Sequence, residues 1–88
     1  MNFVWNEEKS KSNLYKHGIS FDVAMYVFLD SNRVEIYDQK HSADEERFIT
    51  IECVENVPLF VVYTMIDGVY RIISARKALK SEVMKYYC

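Results

Sequence analysis

Three stretches of this 88-residue chain carry side chains suited to chemistry on an anion. In the first, Lys9, Asn13, Lys16 and His17 recur at helical spacing and share one face. Lysines and a histidine on one face can hold a phosphate and offer a proton. The plainer reading is a solvated surface helix, with His17 favourable near the negative C-terminal end. In the second, Asp38-Gln39-Lys40-His41-Ser42-Ala43-Asp44-Glu45-Glu46-Arg47, a polar loop runs into a strand. An imidazole exchanges its proton near neutral pH, so His41 suits general acid–base work, with Glu46 as the carboxylate alternative. Arg47 shares strand parity with Ile49 and Ile51. It therefore points over the core edge, where a guanidinium needs Asp44, Glu45, Glu46 or a phosphate as partner. In the third, Arg71 lies within a strand and Arg76 at a strand-to-helix junction. Two or three such forks can clamp a phosphodiester and stabilise the charge that builds on its oxygens. The plainer use of Arg71 is a salt bridge to a carboxylate near residues 45–52.

Other chemistries lack their residues. His17, His41, Cys53 and Cys88 are too scattered for a zinc site. No phosphate-binding glycine loop, dinucleotide fingerprint or serine nucleophile elbow occurs. No close pair of aspartates suggests a two-metal nuclease. What remains is metal-free acid–base work on a phosphate ester, with no cofactor.

The elements that position these groups follow from period and punctuation. Phe3-Val4-Trp5 reads as an opening strand. Asn6 is an N-cap, Glu7 and Glu8 suit a helix start, and Gly18 stops it, which gives a helix over 7–17. Leu14 and Tyr15 are its only apolar candidates for docking. Ser20 caps a second helix with Phe21, Ala24, Met25 and Phe28 on one face. Residues 33–37 and 47–53 alternate as strands, Asn56-Val57-Pro58 turns, and 59–66 is apolar on both parities, as a covered central strand is. Asp67-Gly68 signals a hairpin, 69–75 is the return strand, and 76–87 reads as a closing helix with Leu79, Val83 and Tyr86 inward. The order β-α-α-β-β-β-β-α predicts an α+β fold, an antiparallel meander with two N-terminal helices and one C-terminal helix packed on it.

Length allows one domain over 1–88. Half of the residues are hydrophobic, 27% are charged, and there are two glycines and one proline, so disorder and low complexity are excluded. Apolar runs fall far short of a membrane span. Charged residues from Glu7 onward precede any apolar stretch, and two distant cysteines make no disulfide framework, so a reducing, cytoplasmic setting is expected. The net charge is −2, unevenly spread. Residues 22–55 hold nine acidic and three basic side chains, whereas 71–88 hold Arg71, Arg76, Lys77, Lys80 and Lys85 against Glu82. If the two ends meet, they form a basic patch on an acidic protein.

Together the three stretches resemble the BrnT toxins of bacterial type II toxin–antitoxin modules. The resemblance rests on Phe3-Val4-Trp5-Asn6, Lys9, Asn13, Lys16-His17-Gly18-Ile19-Ser20-Phe21 and Ala24. It continues with Asp38, His41-Ser42 and Glu45-Glu46-Arg47, then Arg71 to Ala78, Glu82 and Tyr86. Asn6 stands where the family pattern has Asp, and Glu52 where it has Gly. The resemblance implies a RelE-like toxin fold and a ribonuclease that stops translation. It also implies a BrnA-like antitoxin partner, through which alone the complex would touch DNA.

On that reading a 2′-hydroxyl attacks the adjacent phosphate. Arg47, Arg71 and Arg76 steady the charge, and His17, His41 or Glu46 is the base. Lys9, Asn13, Lys16, Lys77, Lys80 and Tyr86 would hold RNA. Phe60, Tyr70 and Tyr87 are apolar candidates for the antitoxin interface. The rival expectation is a non-catalytic protein that only binds its antitoxin as a co-repressor.

Overall fold

The computed structural model describes residues 2–87, the last two by backbone alone. Met1, Cys88 and the side chains of Tyr86 and Tyr87 lie outside the described residues, so the expectations for Tyr86 and Tyr87 concern groups outside them. Strand β1 (Asn2–Val4) leads into helix α1 (Glu7–His17). The Asn6 side chain accepts from the Lys9 N–H at 3.1 Å, as an Asp there would. Gly18 closes the helix at φ 74°, a left-handed cap that suits glycine, and donates to the Leu14 carbonyl. Helix α2 (Phe21–Ala24), capped by Ser20, runs on as a 3₁₀ helix over Met25–Leu29.

Strands β2 (Val34–Tyr37), β3 (Phe48–Val54), β4 (Val57–Ile66) and β5 (Val69–Lys77) form the expected antiparallel meander. Both hairpin turns take two residues at positive φ, Glu55-Asn56 and Asp67-Gly68, so Val57 and Pro58 belong to β4 rather than to a turn. The order across the sheet is β1-β5-β4-β3-β2, and β1 lies parallel to β5. The sheet is therefore mixed. After β1 the chain crosses one face as α1 and α2, reaches the far edge at β2, and returns strand by strand until β5 meets β1.

The helices cover the back of this sheet. Phe21, Ala24, Val27 and Phe28 pack on Leu59, Val61, Tyr63, Ile72 and Ala75. Phe3, Phe28, Tyr63 and Tyr70 form one aromatic group with ring centroids 4.8–5.8 Å apart. Tyr70 is partly buried and packs against the core through this group. Arg33 lies over this group, 4.7 Å from the Phe28 centroid, and reaches Glu35 at 3.7 Å. The Tyr63 hydroxyl donates to Glu35; burial first, then that carboxylate, hold its phenol above the usual range.

Helix α1 docks in an unexpected way. Leu14 and Tyr15 face outward, at 50% and 92% exposure, and the buried seam is Ser10 and Asn13. Only the first part of β5 is paired by β1, so the edge at Ala75 stays open. Asn13 fills it. Its amide donates to the Ala75 carbonyl at 2.6 Å and the Ile19 carbonyl at 2.7 Å, and accepts from the Ala75 N–H at 3.2 Å. The side chain stands in for a neighbouring strand. Ser10 accepts from the Phe21 N–H, tying α1 to α2. Asn13, expected from its helix face to hold RNA, is instead buried here with its amide bonded to backbone groups.

The chain ends in α3 (Lys80–Glu82), continued to Tyr87 as a π-helical turn. It starts four residues later than expected, because the β4–β5 ladder runs on to Leu59–Lys77. Arg76 is thus a strand residue. Asn13→Ala should strip three buried hydrogen bonds and cost about 3 kcal/mol in urea denaturation; a loss below about 1 kcal/mol would contradict the clamp.

Candidate functional site

The front of the sheet carries the C-terminal α3 turn, beside Ile36, Ile49 and Phe60, and here the arginines meet. Arg71 and Arg76 are five residues apart, which in an unbroken strand puts them on opposite faces. The ladder prevents this. Ile72 pairs with Tyr63 and Ser74 with Val62, so Ile73 has no partner and forms a β-bulge. The extra residue resets the alternation, and both arginines reach the front. Arg47, immediately before β3, has the parity of Ile49 and joins them there.

Two adjoining clefts result. The first, about 330 Å³, is lined by Asp38, His41, Arg47, Arg76 and Ser74 over a floor that includes Ile49, Phe60, Val62 and Ile73. The second, about 170 Å³, is lined by Asn6, Lys9, Glu45, Arg47 and Arg71. Arg47 borders both. The two ends of the chain do converge on the middle segment, through Lys9 and Asn6 at one end and Arg71 and Arg76 at the other.

The loop from Asp38 to Arg47 is pinned by its own polar groups. The Asp38 N–H donates to the Arg47 carbonyl at 2.8 Å. Ser42 Oγ donates to the Asp38 carbonyl at 2.6 Å and accepts from the Arg47 N–H at 3.0 Å. A 3₁₀ turn over Gln39–His41 swings the imidazole back onto Asp38. His41 Nδ1 lies 3.0 and 3.2 Å from the two Asp38 oxygens. An ionised carboxylate only accepts, so Nδ1 carries a hydrogen; in the neutral ring Nε2 is then the acceptor.

Arg76 is fixed from two sides. Its guanidinium lies 4.0 Å from the ring centroid of Phe60, its cross-strand neighbour. Both oxygens of Glu82 accept from it at 2.8 Å. Glu82 also accepts from the Leu79 N–H at 2.7 Å, which anchors the start of α3. The hydrogen bonds from Arg76 hold the Glu82 carboxyl below its usual range, and Glu82 keeps Arg76 firmly protonated. Phe60, half-buried, is thus the platform under Arg76.

The remaining sequence candidates lie elsewhere. Lys16 and His17 end α1 and line neither cleft. Lys77 lines a depression on the helix-covered side with Ile19, Val23 and Tyr26. Glu46 and Lys80 are exposed and line neither cleft. Two participants take roles that the sequence reading does not assign them. Asp38 precedes His41 by one helical turn, and Glu82 follows the arginine motif. Glu45, one of the carboxylates expected beside Arg47 and within the stretch expected to pair with Arg71, reaches Arg71 at 2.6 Å and Arg47 at 3.9 Å. Glu52, the departure from the family pattern, is buried and accepts from the Cys53 N–H.

The domain is mixed α+β, and its two front clefts offer an anion guanidinium donors and an oriented imidazole. The family model described as "Ribonuclease toxin, BrnT, of type II toxin-antitoxin system" matches residues 5–82. The chain belongs to the BrnT family, a class of toxins whose chemistry is RNA cleavage and whose partner is an antitoxin. Comparison with curated proteins returned no match. Among the described residues, no helix is long and apolar enough to cross a membrane.

Because the Glu82 carboxyl is depressed in the folded state, its contribution is complete above the ordinary glutamate range and is lost as pH falls through the lowered value. Glu82→Gln should therefore cost about 1–2 kcal/mol at pH 7. In pH-dependent urea denaturation the difference from wild type should shrink below about pH 4. A gap that persists at pH 2 would contradict the ion pair.

Proposed function

We propose that this protein cleaves RNA without a metal ion, as a toxin that halts translation until its antitoxin binds. The observation that carries the reading is the lining of one cleft by His41, Arg47 and Arg76. The 2′-hydroxyl attacks the adjacent phosphorus and gives its proton to His41 Nε2. The bond to the 5′-oxygen breaks and that oxygen takes up a proton from water, leaving a 2′,3′-cyclic phosphate and a 5′-hydroxyl. Asp38 keeps the imidazole in the accepting tautomer, as the carboxylate partner of a catalytic histidine does. Arg47 and Arg76 face the non-bridging oxygens and offset the charge that grows on them.

The metal-free reading is supported by how the cleft supplies charge. Guanidinium groups stand where a metal nuclease needs clustered carboxylates. Among the described residues, no three His, Cys, Asp or Glu groups come together as a metal requires. The reading favours His41 over His17 and Glu46 as the base, since only His41 shares a cleft with arginines. It also puts the toxin in the cytoplasm with its RNA, in a RelE-like mode of action, and leaves any DNA contact to the antitoxin.

A second reading, a co-repressor subunit without catalysis, has one observation in its favour. Arg71 and Arg76 are both already paired with carboxylates of the chain itself. Cleavage of single-stranded RNA by the pure protein in EDTA separates the two. The nuclease reading expects cyclic-phosphate products. It expects losses of about 100-fold or more for His41→Ala and Arg76→Ala, with a smaller loss for Asp38→Asn. A folded His41→Ala protein with undiminished cleavage would defeat the assignment, and no cleavage by wild type would favour the co-repressor.

A further inference from the structure

We infer that the second cleft, built by Lys9, Arg47 and Arg71, receives the phosphate of the nucleotide next to the scissile one, and that the Glu45 carboxylate occupies this place until RNA arrives. The inference rests on the nuclease reading above and assigns Arg71 to substrate holding rather than to the reacting phosphate. A single oxygen of Glu45, Oε1, lies 2.6 Å from Arg71 Nη2 and 3.9 Å from Arg47 Nη2. That is an anion seated between two guanidinium forks. Carboxylate and phosphate are alternative partners for the same forks.

Charge favours replacement of this occupant. Three cations, Lys9, Arg47 and Arg71, line the cleft against one carboxylate. The Arg47 Nε is buried and has no hydrogen-bond partner, so the guanidinium shared by both clefts keeps an unused donor. Glu45 sits in the irregular stretch between Ser42 and β3, outside any ladder, and can swing away without breaking one. Arg71 and Glu45 are both partly exposed, so solvent screening keeps their pair weak enough to exchange. Because Arg47 borders both clefts, an anion in each makes a continuous track along the sheet front, as successive phosphates of one strand do. An acidic peptide from a partner would use the same cations, but nothing would then require the cleft to adjoin His41.

The test is binding of a fluorescent 2′-O-methyl oligoribonucleotide, which cannot be cleaved, to wild type, Glu45→Gln, Arg71→Gln and the double variant at low salt. Glu45→Gln should tighten binding by about 3- to 10-fold, and that gain should vanish when Arg71 is also replaced. Arg71→Lys serves if Arg71→Gln does not fold. An equal gain in the Arg71→Gln background would make Glu45 a general repulsive charge and overturn the proposal. No gain, in a wild type that binds and cleaves RNA, would overturn this subsite and leave the nuclease reading standing. If no variant binds or cleaves RNA but Glu45→Gln tightens binding of a poly-glutamate peptide, the cleft takes an acidic partner and both readings fall.

Discussion

One unpaired residue governs the front of this molecule. Strand β5 carries Arg71 and Arg76 at a spacing that a regular ladder would split between the two faces. One guanidinium would then have to be buried against the aromatic group under α2, where desolvation costs several kcal/mol. The bulge at Ile73 removes the conflict by advancing the alternation one step. The strand can then bury Ile72 and Ala75 behind the sheet while both arginines stay in front. The same step draws Ile73 and Ser74 toward the first cleft as part of its wall. A bulge beside a cleft re-aims side chains without disturbing the rest of the sheet.

The other half of the arrangement is electrostatic. Glu45 of the acidic middle meets Arg71 of the basic C-terminal part, while Asp38 holds His41 and Glu35 reaches Arg33 within the middle itself. Glu82 serves the same purpose for Arg76 within the C-terminal part. An acidic overall composition is therefore compatible with cationic clefts, because the carboxylates are spent on orienting the cations. Orientation matters more than net charge where a fork must meet planar oxygen pairs.

Much of this was legible in the residues. Caps at Asn6, Gly18 and Ser20, the Asp67-Gly68 turn and the alternation of 33–37 and 47–53 place nearly every element, because each is a local rule. The parallel pairing of β1 was not legible, since no local pattern records which edge a terminal strand joins. Nor was the seam of α1. Helical spacing grouped Lys9, Asn13, Lys16 and His17, but the face that docks is chosen by the open edge of β5, which wants an amide rather than a leucine. For that reason Asn13 is structural, Lys16 and His17 stand aside, and only Lys9, near the helix start, borders a cleft. The bulge hides for a similar reason: Arg71 to Lys77 reads as an ordinary strand, and the slip becomes visible only in the pairing with Tyr63 and Val62.

In the proposed nuclease an RNA strand lies along the front of the sheet with its reactive phosphate between His41, Arg47 and Arg76. The most direct measurement is an NMR titration of the isotopically labelled protein with an uncleavable 2′-O-methyl oligoribonucleotide. The account predicts that the His41 imidazole and the Arg47 and Arg76 guanidinium signals move together with a single affinity, while Lys16, His17 and Lys77 stay still. Shifts confined to the outer face of α1 or to the Lys77 side of the sheet would contradict it.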